Sequence, residues 1–447
     1  MVEKYKAYPE YKDSGVKWLG KIPSNWSVIP LKRYFSIING STPKSGNDNF
    51  WNGDIIWITP SDLSKLTSFD IINSTRKITK SGLASCGTSI VPINSIILSC
   101  RAPIGSIGLA KVELCTNQGC KSLVPFQDSS SYFYAYVLSI CTEELNAKGK
   151  GTTFLELSND ELGYFSLPKP TIKEQRNIVI FLDYETYKID TLIKQQQQLI
   201  KLLEEKRQAV ISHTVTKGLN PNVSMKDSGV EWLGEIPEHW LSVGFKKYLN
   251  PIVDYRGKTP EKVEDGIFLV TARNIKEGKI NYSLSHEFIK EVDYKDIMRR
   301  GIPKIGDVIF TTEAPLGEVA NIDNENIALA QRIIKFRGKD QIVDNYYLKY
   351  FIMSDQFQQG LNTYATGSTA QGIKAERLGY LSLLIPPYKE QSNIVNYLDL
   401  EILKLNQLMV KANQVIELLK ERRTALISAA VTGKIDVRDW QAPTITV

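Results

Sequence analysis

The chain is written twice. Residues 12–26 read KDSGVKWLGKIPSNW and residues 226–240 read KDSGVEWLGEIPEHW, about 11 of 15 positions alike. The correspondence continues down both halves in the same order. Gly40-Ser41-Thr42-Pro43 answers Gly257-Lys258-Thr259-Pro260, and Ala102-Pro103-Ile104-Gly105 answers Ala314-Pro315-Leu316-Gly317. Gly151-Thr152-Thr153 answers Gly367-Ser368-Thr369, LGYFSLPKP from Leu162 answers LGYLSLLIP from Leu378, and KEQRNIVIFLD from Lys173 answers KEQSNIVNYLD from Lys389. The offset drifts between about 212 and 217 residues, far beyond the roughly 20–50 residues of a solenoid unit. The anchors agree while the stretches between them differ. Divergent segments on a shared frame suit two recognition surfaces with different targets.

Each copy has two parts. The first mixes short β-rich runs with Gly and Pro turn signals: DIIWIT (54–59), SIILSC (95–100), DVIFTT (307–312) and IALAQRIIKF (327–336). These predict a compact α+β domain. The second part carries no Gly or Pro from Thr171 to Val215. There a stripe recurs at three- and four-residue steps through Ile189, Leu192, Gln196, Leu199, Leu203, Lys206 and Val210. The second copy repeats it through Leu405, Leu408, Ala412, Val415, Leu419, Arg422 and Leu426. Heptad spacing with polar breaks predicts a long helix whose apolar members pack on a partner. Thr171 and Glu174 form a T-x-x-E capping pattern at its start; the second copy has Pro387 in place of Thr171. Gly218 and Gly433 mark the helix ends. About 40 residues give a rod on the order of 60 Å.

The expected fold is therefore α+β: two globular domains in a pseudo-twofold repeat, with two long helices forming an antiparallel coiled coil. The expected boundaries are domain 1 at 1–170, a central helix at 171–220, domain 2 at 221–386, a C-terminal helix at 387–436 and a tail at 437–447.

Composition adds bounds. The 447 residues are 42% hydrophobic and 23% charged, with a formal net charge of +6. That is ordinary for a globular protein and permits a polyanionic partner without requiring one. Five cysteines with no C-x-x-C pair and three scattered histidines argue against a disulfide framework or a zinc site. The polar N-terminus is not a signal peptide, and no apolar run reaches the roughly 20 residues of a membrane span. A cytoplasmic setting is expected.

Three motifs imitate chemistry. Gly15–Lys21 fits G-x-x-x-x-G-K, yet Ile22 stands where magnesium needs a hydroxyl, and the repeat places Glu235 at the lysine. Ile385-Pro386-Pro387-Tyr388 resembles the N/D-P-P-Y/F motif of amino-methyltransferases but lacks the leading amide or carboxylate. Glu277-Gly278-Lys279 matches a nuclease E-x-K tail without a convincing upstream acidic partner. None supplies a nucleophile–base or metal arrangement.

The repeated W-L-G-x-I-P start, the G-x-T-P and A-P-x-G turns, and L-x-x-P-P-x-x-E-Q-x-x-I-x-x-x-L-D at Leu383–Asp399 resemble the specificity subunits (HsdS) of type I restriction–modification systems. The first copy departs from the pattern at Pro170-Thr171. The resemblance spans residues 12 to 436. It implies a noncatalytic chain that reads a split, asymmetric double-stranded DNA site with two target-recognition domains. It implies docking of two HsdM modification subunits and of HsdR motor–nuclease subunits. The assembly would use S-adenosylmethionine, ATP and Mg for adenine methylation or cleavage, with no cofactor held by this chain. An orphan DNA-binding module without restriction partners is the alternative.

Base edges are read by Arg, Asn and Gln, and phosphates by Lys. In domain 1 the expected DNA contacts are Lys44, Arg76, Lys77, Lys80, Arg101, Gln118, Lys121, Lys148 and Lys150. In domain 2 they are Arg256, Lys258, Arg273, Asn274, Arg299, Arg300, Gln331, Arg332, Gln371 and Lys374. Lys206-Arg207 and Arg422-Arg423 are read instead as helix-end charges or subunit contacts.

Overall fold

The uninterrupted segments form the helices that their composition dictates. In the computed structural model, which describes residues 5–101, 103–126, 130–150, 155–255, 260–367 and 371–443, the first long helix runs Ile172–Lys217. The second runs Tyr388–Val431. The capping box forms at the first: the Thr171 amide donates to Glu174 Oε2 at 3.1 Å and the Glu174 amide to Thr171 Oγ1 at 3.3 Å. At the second, the Pro387 carbonyl accepts from the Glu390 amide at 2.8 Å. Both helices stop at a left-handed glycine, Gly218 with φ 77° and Gly433 with φ 73°, a conformation that a Cβ penalises.

Arg423 donates to Asp190 at 2.9 Å and Arg207 to Asn406 at 3.2 Å. Seventeen residues forward on one helix thus match seventeen back on the other, so the pair is antiparallel. The expected stripe is half right. Ile189, Leu203, Leu405 and Leu426 are buried and Val210 and Leu419 half-buried. Leu192, Leu199, Leu408 and Val415 are instead 45%, 43%, 49% and 40% exposed. The seam runs through Ile193, Ile200, Met409 and Ile416. Each displaced position has an apolar neighbour one residue on, and from Ile189 or Leu405 a 4-3 alternation fits as well as 3-4. Periodicity alone could not choose the phase, since one residue rotates a side chain by about 100°.

The chain divides into two units, Met1–Gln196 with Val415–Val447 and Gln197–Gln414, so each long helix belongs partly to each. In the first unit a five-stranded sheet orders Phe35–Asn39, Cys120–Pro125, Ile96–Ser99, Ile107–Ala110 and Asp70–Ile71; all pairs are antiparallel except the last. A three-stranded sheet sets Trp51–Ile58 between Cys115–Thr116 and Arg76–Ile78. The helix Ser131–Ser139 packs under the larger sheet, and its Phe133, Tyr134 and Val137 are fully buried.

The second unit repeats this plan. Val253–Asp254, Ile333–Phe336, Val308–Thr312 and Leu316–Asn321 form an antiparallel sheet, and Ile267–Val270 sits between Phe288–Ile289 and Ile327–Leu329. Its interior is held partly by charge. Asp307, 1% exposed, accepts from Lys335 at 2.9 Å and from Arg337 Nη2 at 2.8 Å. Burial pushes its carboxyl up, but these bonds outweigh it and leave the pKa below the ordinary aspartate value. The equivalent position in the first unit is Ser95, whose hydroxyl donates to the Pro92 carbonyl at 2.7 Å. No helix among the described residues is long and apolar enough to cross a membrane.

Candidate nucleic-acid interface

The repeated motifs converge on one clamp in each unit. Glu174 caps its own helix with one oxygen, and its other oxygen accepts from the Trp26 indole at 3.3 Å and from Asn25 at 3.1 Å. Glu390 likewise accepts from the Trp240 indole at 3.2 Å and contacts His239 at 2.8 Å. Trp26 and Trp240 are fully buried. The next residue bridges in both copies: Gln175 donates to the Pro170 carbonyl and accepts from the Ser130 amide, while Gln391 donates to Pro386 and accepts from the Asp344 amide. Tyr136 donates to Asp183 at 2.7 Å, and Tyr350 to Asp399. These bonds lock each globular domain to the start of a long helix. The far end of the other helix closes the same clamp. A Cβ on Gly433 would meet Pro23 at 2.4 Å and Trp26 at 3.2 Å; one on Gly218 would meet Trp240 and Glu390 at 3.2 Å.

The outer sheets carry no such identity. In the first unit Trp51 and Trp57 pack edge to face at 5.2 Å, and the Arg76 guanidinium lies 3.6 Å from the Trp51 ring centre. The equivalent of Trp57 is Leu269: both precede a Thr that opens a capping box, Thr59–Asp62 in one copy and Thr271–Asn274 in the other. A second junction changes its charge pairing. Arg101 faces Glu156 across a bridge and pairs with it at 2.7 Å. At the equivalent bridge Glu313 faces Gly372 and pairs with Arg332 at 2.8 Å.

Residues 23–202 and 257–418 both match the family described as the type I restriction modification DNA specificity domain. The chain belongs to this family. It is 25% identical over 439 residues to the MjaVIII specificity subunit of Methanocaldococcus jannaschii, covering 96% of this chain and 98% of the relative. It is 33% identical over 204 residues to the MjaIX specificity subunit of the same organism, but that match takes in only 45% of this chain and 46% of the relative. A chain from a structural study of type I R-M complex assembly shares the fold, with a TM-score of 0.70 at 16% identity over 93% of this chain and 99% of the other. The matched domain is one of DNA recognition, not catalysis.

For a specificity protein the exposed edges matter, and the sequence candidates divide on them. Lys44, Arg76, Lys80 and Gln118 are exposed and Lys77 half-exposed, all beside the three-stranded sheet. Arg101 is held by Glu156, and Glu161 takes Lys150 at 2.7 Å and Lys148 at 3.7 Å. Lys121 is a correction. It is 6% exposed and donates to Asn39 at 2.9 Å and Asn159 at 2.7 Å, so its charge is spent inside the sheet.

In the second unit Arg273, Arg299, Arg300, Arg332, Gln371 and Lys374 are exposed and Gln331 half-buried. Arg299 pairs with Asp296 at 3.3 Å and Arg300 donates to the Asp254 carbonyl at 2.6 Å. Asn274 is the second correction. Fully buried, it completes its capping box and donates to the Asn281 and Ser285 carbonyls; a side chain without exposed surface cannot reach a base. Arg256 and Lys258 lie outside the described residues, as do Ala102 and most of the Gly-Thr/Ser-Thr loops. Sequence reasoning missed the clamp. Its signal was the joint recurrence of a Trp and a Glu some 150 residues apart in both copies.

Proposed function

We propose that this chain is the DNA-address subunit of a type I restriction–modification enzyme, reading an asymmetric two-part DNA site with one globular domain per part. The observation that carries this reading is the contrast within the repeat: the Trp26–Glu174 and Trp240–Glu390 clamps share the same indole–carboxylate bond, while the exposed edges above them differ in every described base-reading candidate except Gln118 and Gln331. Unlike edges on a common frame read unlike sequences. Unpaired or weakly paired Lys, Arg and Gln at those edges have the chemistry for phosphates and base edges.

The helix pair supplies a second part of the reading. Beside the seam, Leu202, Leu400, Leu403 and Leu418 are 51%, 59%, 54% and 63% exposed, with Leu192, Leu199, Leu408 and Val415 next to them. Apolar surface of that extent on a solvent-facing helix suits partner helices. It fits the docking of two HsdM methyltransferase subunits, with HsdR joining for translocation and cleavage, in the cytoplasm. Those partners would bring S-adenosylmethionine, ATP and Mg, and would methylate adenine after flipping it from the stack.

Co-expression with the modification subunit in a methylation-free host, followed by mapping of N6-methyladenine, tests this. The expected result is one split, non-palindromic motif. Methylation by the lone chain, or a single undivided motif, overturns it.

A further inference from the structure

The first domain's outer sheet is built around a feature its counterpart lacks. Trp51 and Trp57 are 6% and 4% exposed, and their indole N–H groups do not end in the core. Trp51 donates to the Lys44 carbonyl at 3.2 Å and Trp57 to the Ser41 carbonyl at 3.0 Å. Two buried rings thus fasten the loop 41–44 from beneath. Thr42 in that loop is tied to the Gln118 side chain. The outer face of Trp51 carries the Arg76 guanidinium at 3.6 Å, with Trp57 at 6.0 Å. Arg76 sits on a strand paired with the tryptophan strand, and its main-chain carbonyl accepts from Ser74 at 2.6 Å. Among the described residues it has no ion pair, unlike Arg101, Arg299 or Arg332.

An exposed guanidinium ordinarily samples many rotamers or is neutralised by a carboxylate. Here cation–π attraction restrains it while its hydrogen-bonding edge stays unspent. Restraint before binding lowers the entropy lost on contact. A planar donor fork matches guanine O6 and N7, the commonest specific contact that arginine makes in the major groove.

We propose that Arg76 reads a guanine in the half-site recognised by the first domain, and that Trp51 is the positioning residue that holds its guanidinium. This rests on the DNA-address reading above and goes beyond it by assigning one base and one residue. Lys44 and Gln118, tied into the same tryptophan-braced loop, take the neighbouring phosphate and base edge.

The test is selection of bound duplexes from a randomised library by the full chain with its partner subunits, for wild type, R76A, R76K and W51F. Wild type is expected to select a split motif with an invariant G·C pair in one half. R76A should lose preference at that pair by about 5- to 150-fold while the other half is unchanged. R76K keeps the charge but not the fork, so it should retain affinity and lose the guanine preference. W51F should lose part of the same preference with the salt dependence of binding unaltered, which a merely structural role would not produce. Equal weakening for every sequence in R76A, with a shallower salt slope, would make Arg76 a phosphate contact and overturn the assignment. So would an unchanged motif in R76A. If wild type selects no motif at all, the DNA-address reading itself fails, and the two failures are distinguishable.

Discussion

Ser95 and Asp307 occupy the same turn of the same repeated sheet, yet the side chain of one donates to a carbonyl and that of the other gathers two cations. In the smaller sheet Trp57 and Leu269 share a strand position, one bracing a loop through its indole and the other only filling the core. By contrast, Trp26 and Trp240 hang from Glu174 and Glu390 with bond lengths within 0.1 Å of each other. The lesson is where divergence is tolerated. Both domains must seat on one antiparallel helix pair, so the seating contacts repeat. Interiors and outer edges answer to nothing shared, and each unit has solved them separately.

That contrast can be broken by mutation. The largest effect is expected at Asp307. Asp307→Asn leaves Lys335 and Arg337 without their carboxylate, and stability should fall by about 3–5 kcal/mol; Ser95→Ala should cost about 1 kcal/mol. Because the folded pKa of Asp307 is lowered, its stabilisation is present above the unfolded carboxylate value of about 4 and lost as pH falls through the folded one. Hydrogen exchange followed peptide by peptide should therefore show the second unit loosening first on acidification. Simultaneous loosening of both units would remove the distinction.

The helix phase comes next. Ile416→Ala, in the seam, should cost about 2–4 kcal/mol, while Leu408→Ala should fall within about 0.5 kcal/mol and weaken only partner docking. Thermal melts of the two variants decide the matter, since the reverse order would restore the alternative stripe. A smaller and matched effect is expected at the clamps. Glu174→Gln and Glu390→Gln each remove a charge-assisted bond to an indole, costing about 1–2 kcal/mol. Unequal losses would show that the two seats are not equivalent.

Much of this architecture was legible from residues alone. The repeat announced two copies of one plan, and the absence of Gly and Pro announced the rods; Thr171–Glu174 and the two terminal glycines marked their ends. What was hidden is what a linear string does not hold. Adjacent apolar pairs such as Leu192-Ile193 left the rotational phase of the stripe open. Lys121 and Asn274 look like DNA contacts until the fold surrounds them with carbonyls and amides. Glu174, read as a helix cap, and Glu390, read as part of a signature, also tie helix to domain through a buried indole. The Arg76–Trp51 stack needed two strands to be paired before a guanidinium and an indole could meet.

The central claim is that two readers act independently on one frame. Its most direct test is the methylated motif produced in cells by the full chain with its partner subunits, compared with that of a triple variant, K44A/R76A/Q118A. The account predicts that one half of the motif degenerates while the other half and the gap between them stay as in wild type. Loss of specificity in both halves together would contradict it.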